Sequence, residues 1–339
     1  MNIFGGCKTS AMGILPHRDI DKALDMALSL DIPFWPQLPH VSYYEDMYVQ
    51  FSEHFPGIII DEEEQRVSFN TGLFYEELPG YLEKSEDPET FNLSDKYAQV
   101  FHRFLQRDLS AYTAIKGQVI GPVSFGLRTS DENLKPMIFN DDARLLLFEF
   151  TREKLNNQYR LLRKYNPNPV VFFDEPGLEF IFNSMSGYTG DMAKKDLAGL
   201  LQGVDGLKGI HLCGNPDWDF LLNADIDVLS FDAYRRGEVI VRYESLRRFI
   251  ADGKILEWGI VPTQIEILEE ETEDSIINRL EGLWDYLVAK GVDKETIVQN
   301  ARVSPATCNL VGPRSEEAVE KAYAMLRSIS ARLKKKYSL

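Results

Sequence analysis

Short apolar runs alternate along this chain with longer stretches in which apolar residues return every three or four positions. The runs fall at residues 6–10, 32–35, 117–120, 170–173, 209–212, 228–231, 254–258 and 297–299. A strand covered on both faces of a parallel sheet reads as such a continuous run, so these are the predicted strands. The stretches between them predict helices. Residues 94–114 carry Tyr97, Val100, Phe101, Phe104 and Leu105 on one helical face, with Ser94 placed to cap the N-terminus. Residues 144–165 carry Leu147, Phe150, Leu155, Tyr159 and Leu162 in the same way. Further helices are predicted over 273–289 and 316–335, the last meeting the basic run Lys334, Lys335 and Lys336, which suits a helix C-terminus.

Strands alternating with helices in this way predict an α/β fold of one domain spanning 1–339, a (β/α)8 TIM barrel. One segment breaks the alternation. Residues 41–93, after the second predicted strand, hold apolar residues at 58–60 and 67–69 on either side of the acidic, turn-like stretch 61–65. That pattern predicts an inserted β-hairpin. The stretch 84–89, built of Lys, Ser, Glu, Asp and Pro, predicts a surface loop. No repeat of 20–50 residues and no low-complexity tract interrupts the chain.

Composition narrows the class. With 339 residues, 44% of them hydrophobic and 27% charged, the chain is globular and long enough to bury a large core. Its net charge of −16 argues against a nucleic-acid partner and against an anionic membrane surface. Apolar runs such as 145–148 and 322–326 are far too short to span a bilayer. Three cysteines make no disulfide framework, and residues 1–13 show no charged start followed by an apolar block. The expected setting is the reducing cytoplasm.

The sharpest local chemistry is Gly209-Ile210-His211-Leu212-Cys213-Gly214. Residues two apart on a strand share a face, so His211 and Cys213 converge, and imidazole and thiolate are both good zinc ligands. The plainer alternative is a buried cysteine beside a hydrogen-bonded histidine. Cys308, in Ser304-Pro305-Ala306-Thr307-Cys308, follows the last predicted strand, and in a barrel it would open onto the same C-terminal rim. His211, Cys213 and Cys308 then give three protein ligands and an open position, the catalytic form of a zinc site. Cys7 reads as a small buried hydrophobe. Asp232, just past residues 228–231, is either a fourth ligand or a loop-capping aspartate. Asp174 and Glu175, closing Phe172-Phe173-Asp174-Glu175-Pro176, bind a substrate ammonium, position a ligand or cap the next helix.

Other chemistries lack their motifs. There is no phosphate loop, no dinucleotide fingerprint and no Gly-x-Ser-x-Gly elbow. His17, His40, His54 and His102 have no metal-like partners nearby in sequence. The aromatic-rich stretch 34–40 either lines the barrel mouth or packs in the core.

In order along the chain, the motifs are Thr9-Ser10-Ala11-Met12-Gly13-Ile14-Leu15-Pro16, Gly121-Pro122, Phe173-Asp174-Glu175-Pro176, His211-Leu212-Cys213-Gly214, Trp258-Gly259-Ile260-Val261-Pro262 and Ser304-Pro305-Ala306-Thr307-Cys308. This ordered set resembles the catalytic half of cobalamin-independent methionine synthase. The wider superfamily includes uroporphyrinogen decarboxylase and corrinoid-linked methyltransferases. The resemblance implies a TIM barrel whose zinc is held by His211, Cys213 and Cys308, with Asp232 at the position of the family's glutamate. It implies that Asp174 binds a substrate amino group, and that Ile14, Glu175 and Trp258 line the substrate site. The implied reaction is methyl transfer from a methyl-folate or methyl-corrinoid donor to a small thiol such as homocysteine. Methionine synthases carry a serine where Ile14 stands, a departure that points away from homocysteine. The family's long N-terminal half, which helps bind polyglutamyl folate, has no counterpart here, which implies a corrinoid protein as donor. The decarboxylase branch uses no metal and early arginines, of which only Arg18 is present. Metal-free decarboxylation is the alternative, and a non-catalytic barrel with structural zinc is the third reading.

Overall fold

The computed structural model describes residues 3–181 and 187–339. Nine strands form among them: β1 (Lys8–Thr9), β2 (Ile58–Asp61), β3 (Arg66–Phe69), β4 (Ile115–Ile120), β5 (Pro169–Asp174), β6 (Lys208–Leu212), β7 (Val228–Phe231), β8 (Ile255–Val261) and β9 (Ala301–Pro305). Seven of them make one sheet in the order β1-β9-β8-β7-β6-β5-β4. Every pair in it is parallel. Parallel neighbours need crossover connections, and helices supply them. The result is a curled, TIM-barrel-like α/β sheet wrapped in helices. None of those helices is long and apolar enough to cross a membrane, among the described residues.

Two predicted strands differ. Residues 32–35 make no strand: Phe34 forms a single parallel bridge with Lys116. The Ile32 N–H donates to Thr9 O at 3.0 Å, and the Lys116 N–H donates to Pro33 O at 2.7 Å. The segment thus lies between β1 and β4, but Pro33 and Pro36 have no N–H to extend a ladder. The predicted strand at 297–299 is instead the end of a helix, Lys294–Gln299, and β9 follows it at Ala301–Pro305.

The remaining helices agree more closely. The helix predicted over 273–289 is Glu273–Ala289, those near 144–165 and 316–335 are Asp141–Leu162 and Ser315–Tyr337, and that over 94–114 stops early, as Asp95–Leu105. Ser94 occupies the N-cap position of Asp95–Leu105 without a capping hydrogen bond from its side chain. Segment 41–93 holds more than a hairpin. The antiparallel pair β2–β3 forms a sheet of its own, flanked by the helices Met47–Ser52 and Thr71–Lys84.

Alternation decides which side chains point inward. Lys116 Nζ on β4 lies 3.9 Å from Glu257 Oε1 on β8, and Arg302 Nη1 on β9 lies 3.3 Å from Glu257 Oε2. β4 and β8 are far apart in the sheet order, so the first contact crosses the enclosed interior. Below this layer Val170, Phe172, Val228 and Ile255 pack together as an apolar plug. Lys116 Nζ sits 4.1 Å from the centre of the Phe172 ring. Above the charged layer, the same faces present Gln118, Asp174, His211, Ser230 and Ser304. The opposite faces carry the main apolar core against the helices.

One buried charge lies in that outer layer. Lys154, on Asp141–Leu162, is 2% exposed, and its ammonium has no hydrogen-bond partner. Burial pushes its pKa down to about 8, against a smaller opposing pull from Glu53. An unfolded lysine titrates near 10.4, so the folded state binds this proton more weakly than the unfolded chain. The penalty is full below about pH 8 and fades as the pH rises toward 10.4. Lys154→Met is expected to be more stable than the parent by about 2–3 kcal/mol at pH 7, a gain that shrinks by pH 10. Urea unfolding at the two pH values checks this. A pH-independent difference would assign the effect to packing.

Candidate functional site

The expected site residues lie at the C-terminal ends of the parallel strands. Asp174 ends β5 and stands in register with His211 of β6, which in turn pairs with Ser230 of β7. Cys213 follows β6, Asp232 follows β7 and Cys308 follows β9. All three cysteines, Cys7 included, are free.

His211 is held in one orientation. Its Nδ1 lies 2.9 Å from Ser230 Oγ, and Ser230 Oγ donates to Glu257 Oε1 at 3.0 Å. Because the serine hydrogen is spent on the carboxylate, the hydroxyl oxygen accepts from Nδ1–H. Nε2 is left with its lone pair. Burial, aided by Lys116, pushes the His211 pKa down to about 3, so the ring is neutral. A neutral imidazole fixed through its other nitrogen is the form that ligates metal.

The two thiols share surroundings. Cys308 is an exposed residue, yet crowding of its sulfur by the protein, with the neighbouring Cys213 as the next cause, pushes the thiol up to about 11. Burial raises the Cys213 thiol as well. Thr307 hydrogen-bonds to both and opposes the rise, and Asp174 acts on both by its charge.

Asp174 is 8% exposed, and its Oδ1 is buried without a hydrogen-bond partner. Burial pushes its pKa up to about 7; Lys116 pulls it down and Glu257 pushes it up. An unpaired buried carboxylate oxygen is costly, and a cationic ligand would satisfy it.

Ile14 pairs with Gln37 through a single parallel bridge. With Cys308, Thr307 and Tyr323 it lines a tight crevice. Before it, Gly13 lets two amides approach: a Cβ there would come within 2.3 Å of Gln118 and 2.8 Å of Gln37.

Three of the expected site residues have structural partners. Glu175 is buried and accepts from Val123 N–H (2.9 Å), Ser124 N–H (2.9 Å) and Ser124 O–H (2.6 Å). Its carboxylate therefore closes the N-terminus of the helix Pro122–Arg128. This also accounts for Gly121, where a Cβ would collide with the Glu175 carboxyl at 2.2 Å. Trp258 is fully buried between Phe231 and Trp284, with ring centres 5.3 and 6.4 Å away. It alternates with inward-facing Glu257 and Gly259, so it points to the helices and does not line the interior. Asp232 Oδ1 accepts from Arg235 N–H at 2.9 Å and caps the helix Ala233–Ile240, the second of its two readings.

The donor set of His211, Cys213 and Cys308 suits zinc in its chemistry, and the fixed His211 ring presents a free Nε2. Their ligand atoms are not drawn into one cluster. Among the described residues, the group that brings its ligand atoms within 4.8 Å of one another is His17, Glu316 and Glu320. Sequence reasoning missed Ser230, Glu257 and Thr307. Thr307 lay within a quoted motif, whereas the other two carried no local signal.

No family model matches the chain, and no curated protein matches it in sequence. Solved structures do match. A B12-independent methionine synthase from Shewanella sp. W3-18-1, in complex with selenomethionine, aligns with a TM-score of 0.58 at 14% identity over 98% of both chains. A methyltransferase from Methanosarcina mazei aligns with a TM-score of 0.58 at 12% identity, over 98% of this chain and 94% of that one. At such low identities the likeness is one of fold: this chain shares the fold of a B12-independent methionine synthase and of a methyltransferase.

Proposed function

We propose that this protein is a zinc-dependent methyltransferase, methionine synthase-like, that moves a methyl group from a methyl-corrinoid or methyl-folate donor to a small thiol. The observation that carries the reading is the unpartnered Asp174 oxygen beside an oriented, neutral His211 and two free thiols. His211, Cys213 and Cys308 would hold the zinc, while Asp232 caps its helix through Oδ1. Bound zinc would keep the substrate thiol as a nucleophilic thiolate at neutral pH. Ser230 and Glu257 keep His211 Nε2 aimed at the site, and Thr307 steadies the two thiols. Asp174 binds a substrate ammonium, whose charge pulls the carboxyl back toward its ionised form. The Gly121 N–H donates to Asp174 O at 2.8 Å, and Glu175 closes the helix that Gly121 precedes. We place the protein in the cytoplasm, because thiolate ligands need a reducing compartment, and we assign it no nucleic-acid or membrane partner.

The test is turnover. Zinc-loaded protein, given methylcobalamin and a panel of small thiols, is expected to consume the donor and yield a methylated thiol by mass spectrometry. A chelator should stop it. No transfer from methylcobalamin or methyl-tetrahydrofolate to any thiol would overturn the proposal, and chelator-resistant decarboxylation of a tetrapyrrole carboxylate would favour the alternative.

Ile14 sets a further expectation. It is half-buried on the wall shared with Cys308, where a methionine synthase offers a hydroxyl. Loss of one hydrogen bond to a charged carboxylate costs roughly 1.5–3 kcal/mol, which is about 10- to 150-fold in binding. Homocysteine should therefore be a weak acceptor, and Ile14→Ser should lower its KM. No gain in homocysteine binding would show that position 14 does not choose the acceptor.

A further inference from the structure

His17 was set aside in the sequence because nothing near it could share a ligand. The fold supplies partners from the other end of the chain. His17 lies just before the helix Ile20–Leu28 and is completely buried. Neither ring nitrogen has a hydrogen-bond partner. Burial lowers its pKa, against smaller opposing pulls from Glu316 and Glu320, so the ring leans to its neutral form. A neutral imidazole still carries one N–H and one lone pair, and leaving both unmet inside a protein is unfavourable.

Glu316 and Glu320 lie one turn apart near the start of Ser315–Tyr337, so their carboxylates project from the same face. Both are half-buried. His17 Nε2 is 3.4 Å from Glu320 Oε1, without hydrogen-bond alignment. Ligand atoms from all three residues fall within 4.8 Å of one another. Zinc ligands lie about 2.0–2.2 Å from the ion, which places them roughly 3.3–3.6 Å apart at tetrahedral angles. The histidine–glutamate separation already has that value.

We propose that His17, Glu316 and Glu320 form a divalent-metal site of the zinc class, distinct from the site of His211, Cys213 and Cys308. Imidazole with two carboxylates is a borderline-to-hard donor set suited to Zn²⁺, and three protein ligands leave a position for water. The ion would use the unpaired nitrogen of His17 and tie the loop after Ile14 to the C-terminal helix. The local charge allows it. Two carboxylates face His17, and Lys22, whose Nζ is 2.6 Å from Glu320 Oε1, is a cation that acts against protonation of the ring. A carboxylate has lone pairs enough to serve both the ammonium and the metal.

The site does not depend on the methyl-transfer reading, and the experiment separates them. The full-length variant His211→Ala/Cys213→Ser/Cys308→Ser is stripped of metal and equilibrated with Zn²⁺ alone, and zinc is counted per chain. One equivalent is expected, lost when His17→Ala is added. Glu316→Gln, at a half-buried position that leaves the loop intact, is expected to lose it too, with circular dichroism confirming the fold. Lys22→Met, which removes the competing cation, should tighten binding. With Co²⁺ as probe, this equivalent should lack the near-ultraviolet thiolate band that Cys213 and Cys308 would give in the parent. Failure of the triple variant to bind zinc would overturn this site and leave the methyltransferase reading standing. Zinc retained in both the His17 and Glu316 variants would overturn it equally.

Discussion

Glu257→Gln is expected to lower the unfolding free energy by about 3–5 kcal/mol, the cost of breaking a buried ion pair from one side. Glu257 is fully buried and is the carboxylate placed between Lys116 and Arg302, both of them also fully buried. Burial pushes both cations down in pKa, and Glu257 is the group that most opposes this for each. Lys116 also donates to Ala11 O at 2.8 Å, but the Arg302 guanidinium has no hydrogen-bond partner beyond its ion pair. Glutamine keeps the shape and can still accept from Ser230. It cannot balance two charges. Adding Lys116→Met should return part of the loss, because neighbouring charges couple rather than add. Urea unfolding measures both. A loss below about 1 kcal/mol in Glu257→Gln would show that the cations discharge elsewhere.

That interior layer also marks the limit of what the sequence could reveal. Strands β5 to β8 were legible because each carries a short, buried, mostly apolar run, β4 was legible only in its last residues Gly117–Ile120, and the helix at 273–289 was legible because its apolar residues recur at helical spacing. β9 was misplaced because its inward positions are Arg302 and Ser304. A charged residue reads as solvent-facing unless its partner is known, and Glu257 lies 45 residues away in sequence. Residues 32–35 had the apolar run of a strand but held a proline inside it, which removes a ladder donor. Trp258 was misjudged although the alternation was available: with Gly259 facing inward, its neighbour had to face the helices. The ends of the strands were legible through their motifs, which place Asp174, His211, Cys213 and Cys308 correctly at one end of the sheet. Glu175 was not, because its three donors sit on a helix about 50 residues earlier. His17 failed for the same reason across some 300 residues.

Each of His211→Ala, Cys213→Ser and Cys308→Ser is expected to cost the protein about one equivalent of zinc and, with it, methyl transfer, because two remaining ligands hold the ion too weakly. The fold should survive. A barrel-like domain of this size is stabilised by its own core, unlike a small domain that folds only around its metal. Ser230→Ala gives a graded result. It removes the group that fixes the His211 ring while leaving every ligand in place, so zinc affinity should fall by about 10- to 100-fold, with binding still measurable. Asp232→Asn separates the two readings of that residue. Asparagine also caps helices well, so Ala233–Ile240 should persist, and zinc should be retained if Asp232 serves the cap alone. Zinc content by elemental analysis, read beside the unfolding midpoint, decides among these. With His17→Ala as the common background, so that the second site is silent, stoichiometric zinc in all three ligand variants would remove His211, Cys213 and Cys308 from the metal site. Global unfolding of zinc-free parent protein would make the metal structural, and the open coordination position that methyl transfer requires would then have no support.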